Sequence, residues 1–559
     1  MFVALCRTQG SSLHTPQTRP LQFLLLLILA SLMALQSHAA EWQWSVPVPK
    51  GPGSEPGEAR AFLWIPPSCK HVRGVVFAQH NMEEIGILEH PLFRQTLTDL
   101  DIAEVWVAPG FDGHFRFDLG AGQRFDQMMA ALAQGSGYDE LASAPLLPMG
   151  HSAAASLPWH MAAWKPERII AALSISGQWP YWPDPDAPQV AKRSFDSVPG
   201  LVTIGEYEWA EDAMKHGLKF LQPHPAMPLS ALGCPADGHF AALEDKIAFL
   251  SLYVKKAAQY RLPAKNAAGS SQLLPIDVNR TGWLVPRWTE KISAVAAASV
   301  QDYKGDRHQA FWYFDAEIAQ AAATFQAKQR GRATLLGLIQ NGKLVPQQKD
   351  THQQVTLNFL PQEDGVNFKL ETAFLRTVPE GRPERWTHKK AGETNDVPTS
   401  SVPIELMRIC GPVTKNADGT WRLAFDRSSF LGDRRGNQAW FAAVWPGDQQ
   451  FKRAVQQILM NIPGKLDQGR PQIIDFPQVS PVKLGTASID LAAKSSSGLP
   501  VSYFVREGPA EIAGGKLIFS TPPPRSKFPI TITVVAYQFG HTPDTQTATP
   551  VSREIEFKP

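Results

Sequence analysis

The sequence predicts a multidomain protein: a mostly parallel sheet flanked by helices, then a mainly β domain, then a C-terminal β-sandwich. Three observations predict it. From residue 41 to about 265, short and nearly uninterrupted apolar runs alternate with helical stretches, the texture of strands covered on both faces. A small-residue stretch at 266–272 breaks that pattern, and strand candidates separated by turn signals follow, with one short helix. The last ninety or so residues set strand candidates at sandwich-like spacing between Pro- and Gly-rich turns.

Composition agrees with several globular domains. At roughly 100–200 residues per domain, 559 residues leave room for three or four, each able to bury a core. A hydrophobic fraction of 43% excludes a disordered chain. With 54 Lys+Arg against 52 Asp+Glu the net charge is +2, which removes the electrostatic case for a nucleic-acid partner. Four Cys cannot scaffold a chain of this length.

Residues 1–40 read as a secretory signal: Arg7 and Arg19 precede a mostly apolar run at 21–35, and Ser37-His38-Ala39-Ala40 is a small-residue cleavage site. The run is shorter than the ~20 residues a membrane span needs, and no later stretch qualifies. The mature chain is therefore expected to be exported, periplasmic or extracellular, with no membrane span. Loss of Cys6 with the signal leaves Cys69, Cys234 and Cys410, an odd number with room for at most one bridge.

The elements follow in order. Strands are expected at 61–65, 74–77, 103–107, 146–149, 170–175 and 201–204, and helices at 125–133, 153–164 and 241–258. These make up a domain over 41–270. A mainly β domain of unassigned role spans 271–470, with a helix at 315–329, strands at 334–339, 354–359 and 439–444, and turns at Asn341-Gly342 and Asp418-Gly419. The sandwich covers 471–559, with strands at 488–492, 501–505, 516–520 and 530–537.

The chemistry concentrates at Met149-Gly150-His151-Ser152-Ala153-Ala154, where an apolar strand runs through Gly-x-Ser-x-Ala into a small-residue helix. A serine on so sharp a turn needs small residues two positions before and after it, because a bulky Cβ would strike the adjoining strand and helix. Gly150 and Ala154 fill those positions, which makes Ser152 the candidate nucleophile. Two other Gly-x-Ser matches, at Gly10 and Gly269, follow no strand.

A serine nucleophile needs a base and an orienting acid, here in the chain order serine, acid, histidine. After the strand at 201–204 comes Gly205-Glu206-Tyr207-Glu208, with Glu208 the favoured acid and Glu206 the alternative. Further on, Ala236-Asp237-Gly238-His239-Phe240 places His239 in a glycine-flanked loop before the last long helix. For an oxyanion, the strand at 74–77 runs into a loop that holds His80, Asn81 and Met82, with Asn81 and Met82 as candidate donors. The N–H of Ala153 is the other candidate. His80 and His151 are placed to meet substrate. Trp179, Tyr181 and Trp182, in an insert of about 25 residues too short for a folded lid, could form an aromatic wall.

These three turns, Gly150-His151-Ser152-Ala153-Ala154, Gly205-Glu206-Tyr207-Glu208 and Gly238-His239-Phe240, resemble those of the α/β-hydrolase fold, in the manner of secreted bacterial esterases and dienelactone-hydrolase-like proteins. The resemblance covers about 41–262. It implies an α/β-hydrolase domain with Ser152 as nucleophile, His239 as base and Glu208 as acid. Separately, Ser497-Gly498-Leu499-Pro500-Val501, Gly508-Pro509-Ala510 and Ile532-Thr533-Val534-Val535-Ala536 resemble bacterial immunoglobulin-like modules, which imply no reaction.

The expected activity is hydrolysis of a carboxylic ester through an acyl-enzyme, on a small-molecule or polymer-linked substrate, with a bulky or carbohydrate-linked ester compatible with the short insert. A peptidase with the same triad, and a non-catalytic exported binding or adhesion protein on a hydrolase scaffold, are the alternatives. No metal is expected, since His-Glu-x-x-His, Cys-x-x-Cys and P-loop patterns are missing from the sequence, and acyl transfer of this kind needs no cofactor.

Overall fold

In the computed structural model, residues 41–177, 179–180, 194–240, 243–265, 272–348, 354–381, 384–432 and 436–559 are described. The apolar runs of the first region assemble into one eight-stranded sheet: β1 (Trp44–Pro47), β2 (Arg60–Trp64), β3 (Gly74–Gln79), β4 (Ile102–Ala108), β5 (Leu146–His151), β6 (Ala172–Ile175), β7 (Gly200–Gly205) and β8 (Leu229–Cys234). Their spatial order is β1-β2-β4-β3-β5-β6-β7-β8. The first two are antiparallel to their neighbours, and β4-β3-β5-β6-β7-β8 run parallel. Every residue of β3 to β8 is buried, which accounts for their continuous rather than alternating hydrophobicity.

Helices connect these strands: α1 (Glu84–Leu88), α2 (Pro91–Leu100), α3 (Ala121–Ser136), α4 (Leu157–Trp164), α5 (Ala210–Leu221) and α6 (Glu244–Arg261). The sequence did not reveal β1, β8, α1, α2 or α5. In α5 the central Gly217 weakens helix propensity, and it is held there by packing: a Cβ would lie 2.5 Å from the ring of Trp179.

Beyond residue 272, Trp283–Pro286 pairs with Ala310–Tyr313, and α7 (Ala316–Ala327) is capped by Asp315, whose carboxylate accepts the N–H of Ile318. Ser230 and Tyr313 tie this unit to β8, through Trp312 O and Ala231 O. A four-stranded sheet of Val355–Asn358, Ala454–Asn461, Gln438–Trp445 and Glu405–Cys410 forms the heart of the mainly β region. The last ninety or so residues fold as a four-stranded and a three-stranded sheet with a two-stranded ribbon.

Residues 41–559 form one compact unit; the largest of three buried apolar clusters among the described residues reaches from Trp42 to Phe557, and a second fills the mainly β region. The C-terminal part is fastened to the first region: Gly508 N–H donates to Trp42 O at 2.9 Å, and Arg525 pairs with Glu140 at 3.1 Å. Cys69, Cys234 and Cys410 are buried, no disulfide joins them to one another among the described residues, and burial pushes the Cys69 thiol up to about 12. Among the described residues no helix is long and apolar enough to cross a membrane.

Candidate active site

Strand register decides which loops meet. Gly205 at the end of β7 pairs with Cys234 at the end of β8, and His151 at the end of β5 pairs with Ile175 in β6. The segments carrying Ser152, Glu208 and His239 therefore leave the sheet along one edge, at the carboxyl ends of parallel strands, where such sheets place their sites.

Ser152 sits between β5 and a one-turn 3-10 helix, Ser152–Ala154, with φ of +55°. An L-residue bears a cost of order 1 kcal/mol there, a strain tolerated where the surrounding packing enforces it. Gly150 is part of that enforcement. A Cβ on it would lie 2.0 Å from the carbonyl oxygen of Ala154, so the turn closes only with glycine at this point.

The acid and histidine loops pack backbone against backbone. A Cβ on Gly205 would come within 2.5 Å of Gly238 O and 2.6 Å of Asp237 O. Tyr207 N–H donates to Asp237 O at 3.1 Å. Across this contact His239 Nε2 lies 2.6 Å from Ser152 Oγ, and His239 Nδ1 lies 2.5 Å from Glu208 Oε1. The His239 and Glu208 side chains are 8% and 9% exposed, so the hydrogen bond between them is largely shielded from solvent. Glu206, the alternative acid, is engaged elsewhere: Oε2 accepts the N–H of Ala236 at 2.7 Å, and Oε1 meets Lys452 Nζ at 2.5 Å.

A buried polar network lies beneath the nucleophile turn. Glu84 accepts the N–H of His151 at 2.7 Å through Oε1 and that of Met82 at 2.8 Å through Oε2. Asn81 Nδ2 donates to His151 O at 2.7 Å. Facing a carbonyl acceptor, His151 Nε2 is the protonated nitrogen and donates to His239 O at 2.9 Å. Burial, with His239 as a second cause, holds the His151 imidazole well below its ordinary pKa and so neutral. Glu83, fully buried, pairs with Lys246 of α6 at 3.2 Å. Burial opposes the charge on Lys246, but Glu83 and its acidic neighbours outweigh it and raise the ammonium above its usual range.

The expected site residues thus separate. The fold brings Ser152, His239 and Glu208 together. Ala153 has an N–H that precedes the first intrahelical donor, Ala155. Asn81 spends its side chain on the nucleophile turn, and His80 lies edge-on to Trp106 in a cleft shared with Asn81, Cys410, Gly411 and Trp440. Three expectations need correction. The N–H of Met82 is given to Glu84 rather than to an oxyanion. His151 is 0% exposed and cannot touch substrate. Trp179 stacks on Phe311 at 5.6 Å and packs on Gly217, which makes it loop-to-helix packing. Tyr181 and Trp182 fall outside the described residues.

The sequence also hid the contribution of the mainly β region. Gln457 Oε1 accepts the N–H of His239 at 2.7 Å. Arg453 bridges Asp237 at 2.6 Å and Asp245 at 3.0 Å. Trp386 stacks on Tyr207 at 4.4 Å, and Trp440 meets Phe240 edge-on at 5.5 Å. Gly238 lies against the same amide, since a Cβ there would come 1.9 Å from Gln457 Oε1. These partners lie more than 140 residues away along the chain, and no local pattern could have paired them.

Neither a protein-family model nor a curated protein matches this chain. Among solved structures it is similar to α/β serine hydrolases over about 40% of its length. An esterase from Pyrobaculum calidifontis is 16% identical, with 44% of this chain and 96% of that chain covered and a TM-score of 0.29. The siderophore hydrolase EstA from Aspergillus nidulans is 11% identical, with 40% and 96% covered and a TM-score of 0.30. A dienelactone hydrolase from Anabaena variabilis is 18% identical, with 40% and 98% covered and a TM-score of 0.27.

Proposed function

We propose that this protein is an exported serine hydrolase that cleaves a carboxylic ester through Ser152, His239 and Glu208. One observation carries the proposal: a continuous hydrogen-bonded path from Ser152 Oγ through the His239 ring to Glu208, with both ring nitrogens engaged. His239 Nε2 takes the proton from Ser152 Oγ as that oxygen attacks the ester carbonyl carbon. The oxyanion is received by the N–H of Ala153 and by the loop at Asn81. Collapse expels the alcohol, which takes the proton from His239 and leaves an acyl-Ser152. Water, deprotonated by His239, then releases the acid and regenerates the serine. Glu208 holds the His239 ring in the required tautomer.

We assign residues 1–40 to export, 41–270 to the hydrolase domain, 271–470 to a mainly β domain and 471–559 to an immunoglobulin-like sandwich. The test is a panel of p-nitrophenyl, acetyl, feruloyl and peptide substrates, run on the mature chain beside Ser152→Ala, with fluorophosphonate labelling as a second readout. Ester turnover that survives Ser152→Ala sinks the assignment. Preference for peptides redirects it to a peptidase, and folded protein that neither labels nor turns over points to a binding protein.

A further inference from the structure

We infer that Gln457, a residue of the mainly β region, is a positioning residue for His239, so that the catalytic unit extends beyond the first 270 residues. This rests on the serine-hydrolase reading above. The evidence begins with where Gln457 stands. It lies in Ala454–Asn461, an inner strand hydrogen-bonded to Gln438–Trp445 on one side and to Val355–Asn358 on the other. The residue is 1% exposed, so its side chain is fixed by packing rather than by solvent.

From that strand Gln457 Oε1 accepts the His239 N–H at 2.7 Å, while on the other side the His239 carbonyl accepts from His151 at 2.9 Å. The backbone of His239 is thereby held on both sides, at its N–H and at its carbonyl, and one of the two anchors belongs to the second region. Gly238 leaves room for the amide where it stands: a Cβ there would lie 1.9 Å from Gln457 Oε1 and would push that side chain away. Just before the strand, Lys452 and Arg453 hold Glu206 and Asp237, the residues flanking the acid and the histidine. Three contacts along one short segment, 452–457, set the distance between the acid loop and the histidine loop.

Catalysis by a positioned base is sensitive to displacement of this kind, with an error of about 1 Å costing on the order of 100-fold. The experiment uses the full mature chain. Gln457→Met keeps length and volume but removes the acceptor, Gln457→Asn keeps the amide but withdraws it by one methylene, and Gln457→Glu keeps an acceptor at the same reach. Expected for Met and Asn is a fall in kcat of roughly 10- to 100-fold with KM within about twofold and the melting temperature little changed, and for Glu a kcat within about fivefold of wild type. Wild-type kcat in the Met or Asn variant, or a loss in Glu equal to that in Met, overturns the inference. A wild-type chain that neither turns over ester nor labels overturns the hydrolase reading instead, and this inference with it.

Discussion

Glu84 and His151 share a hydrogen bond that joins two halves of the candidate site: the carboxylate takes the His151 N–H at 2.7 Å and, through its other oxygen, the Met82 N–H at 2.8 Å. A single buried side chain thus fixes the spacing between the nucleophile turn and the loop after β3. Replacing it with glutamine leaves one acceptor and turns the other end into a donor facing an N–H. Steady-state kinetics of Glu84→Gln should show kcat lowered by about tenfold or more, and a value near wild type would remove Glu84 from this role.

The two candidate acids are separable by parallel substitution. Glu208→Gln removes the charge that orients His239 and should lower kcat/KM by roughly 100- to 10,000-fold. Glu206→Gln keeps an oxygen for Ala236 N–H and loses only the Lys452 ion pair, so its activity should stay within about tenfold of wild type. The reverse order, measured on one ester, would exchange the assignments.

Gly150→Ala should prevent the nucleophile turn from forming, since the new methyl would sit 2.0 Å from Ala154 O. Expected are a destabilisation of about 2 kcal/mol or more in urea unfolding and loss of fluorophosphonate labelling. Retained labelling at wild-type stability would contradict the steric account.

Arg453→Met leaves the carboxylate of Asp237, 1% exposed, without its guanidinium partner. Stranding a buried charge costs about 3–5 kcal/mol, and the urea midpoint should move down accordingly. An unchanged midpoint would mean that the bridge between the two regions contributes nothing.

The stability contributed by two buried carboxyl groups, Glu84 and Glu104, should fall as pH rises above the ordinary carboxylate range. Burial pushes the carboxyl of Glu84 up to about 7 and that of Glu104, despite its pairing with Arg94, up to about 8, each from 4.5. Raised folded-state values mean that the folded chain holds more protons than the unfolded one across that window. The stabilisation is complete below about pH 4.5 and is lost as pH rises through 7 to 8. Relative to wild type, Glu104→Gln should gain on the order of 1–3 kcal/mol between about pH 5 and pH 8, read from denaturant curves at both values. A constant difference between the two proteins would show that Glu104 stays ionised throughout.

The parallel strands and the turn at Ser152 were legible because their signals are local: runs of apolar residues, and small residues enforced within two positions of a strained serine. His239 was legible from its glycine and its place before a long helix, although that glycine also lies against Gln457, which nothing in the local sequence announces. Strand β8 carries Ser230 and Gly233 within a short run, Leu229–Cys234, and its burial is decided by the unit at 283–327 packing on it. Trp179 could not be placed from sequence, because its position in the chain says nothing of whether it faces a cleft or, as here, a helix glycine.

By itself the sequence determined the strand-and-helix alternation of the first region, the strained serine turn, and the order of serine, acid and histidine along the chain. Only the tertiary structure decided which glutamate faces His239, that His151 lies behind the site rather than in it, and that the mainly β region grips the histidine loop. The physical reason is range. Steric and periodicity signals act over a few residues, whereas the hydrogen bond from His239 to Gln457 joins positions 218 apart, and nothing in either local sequence encodes the other.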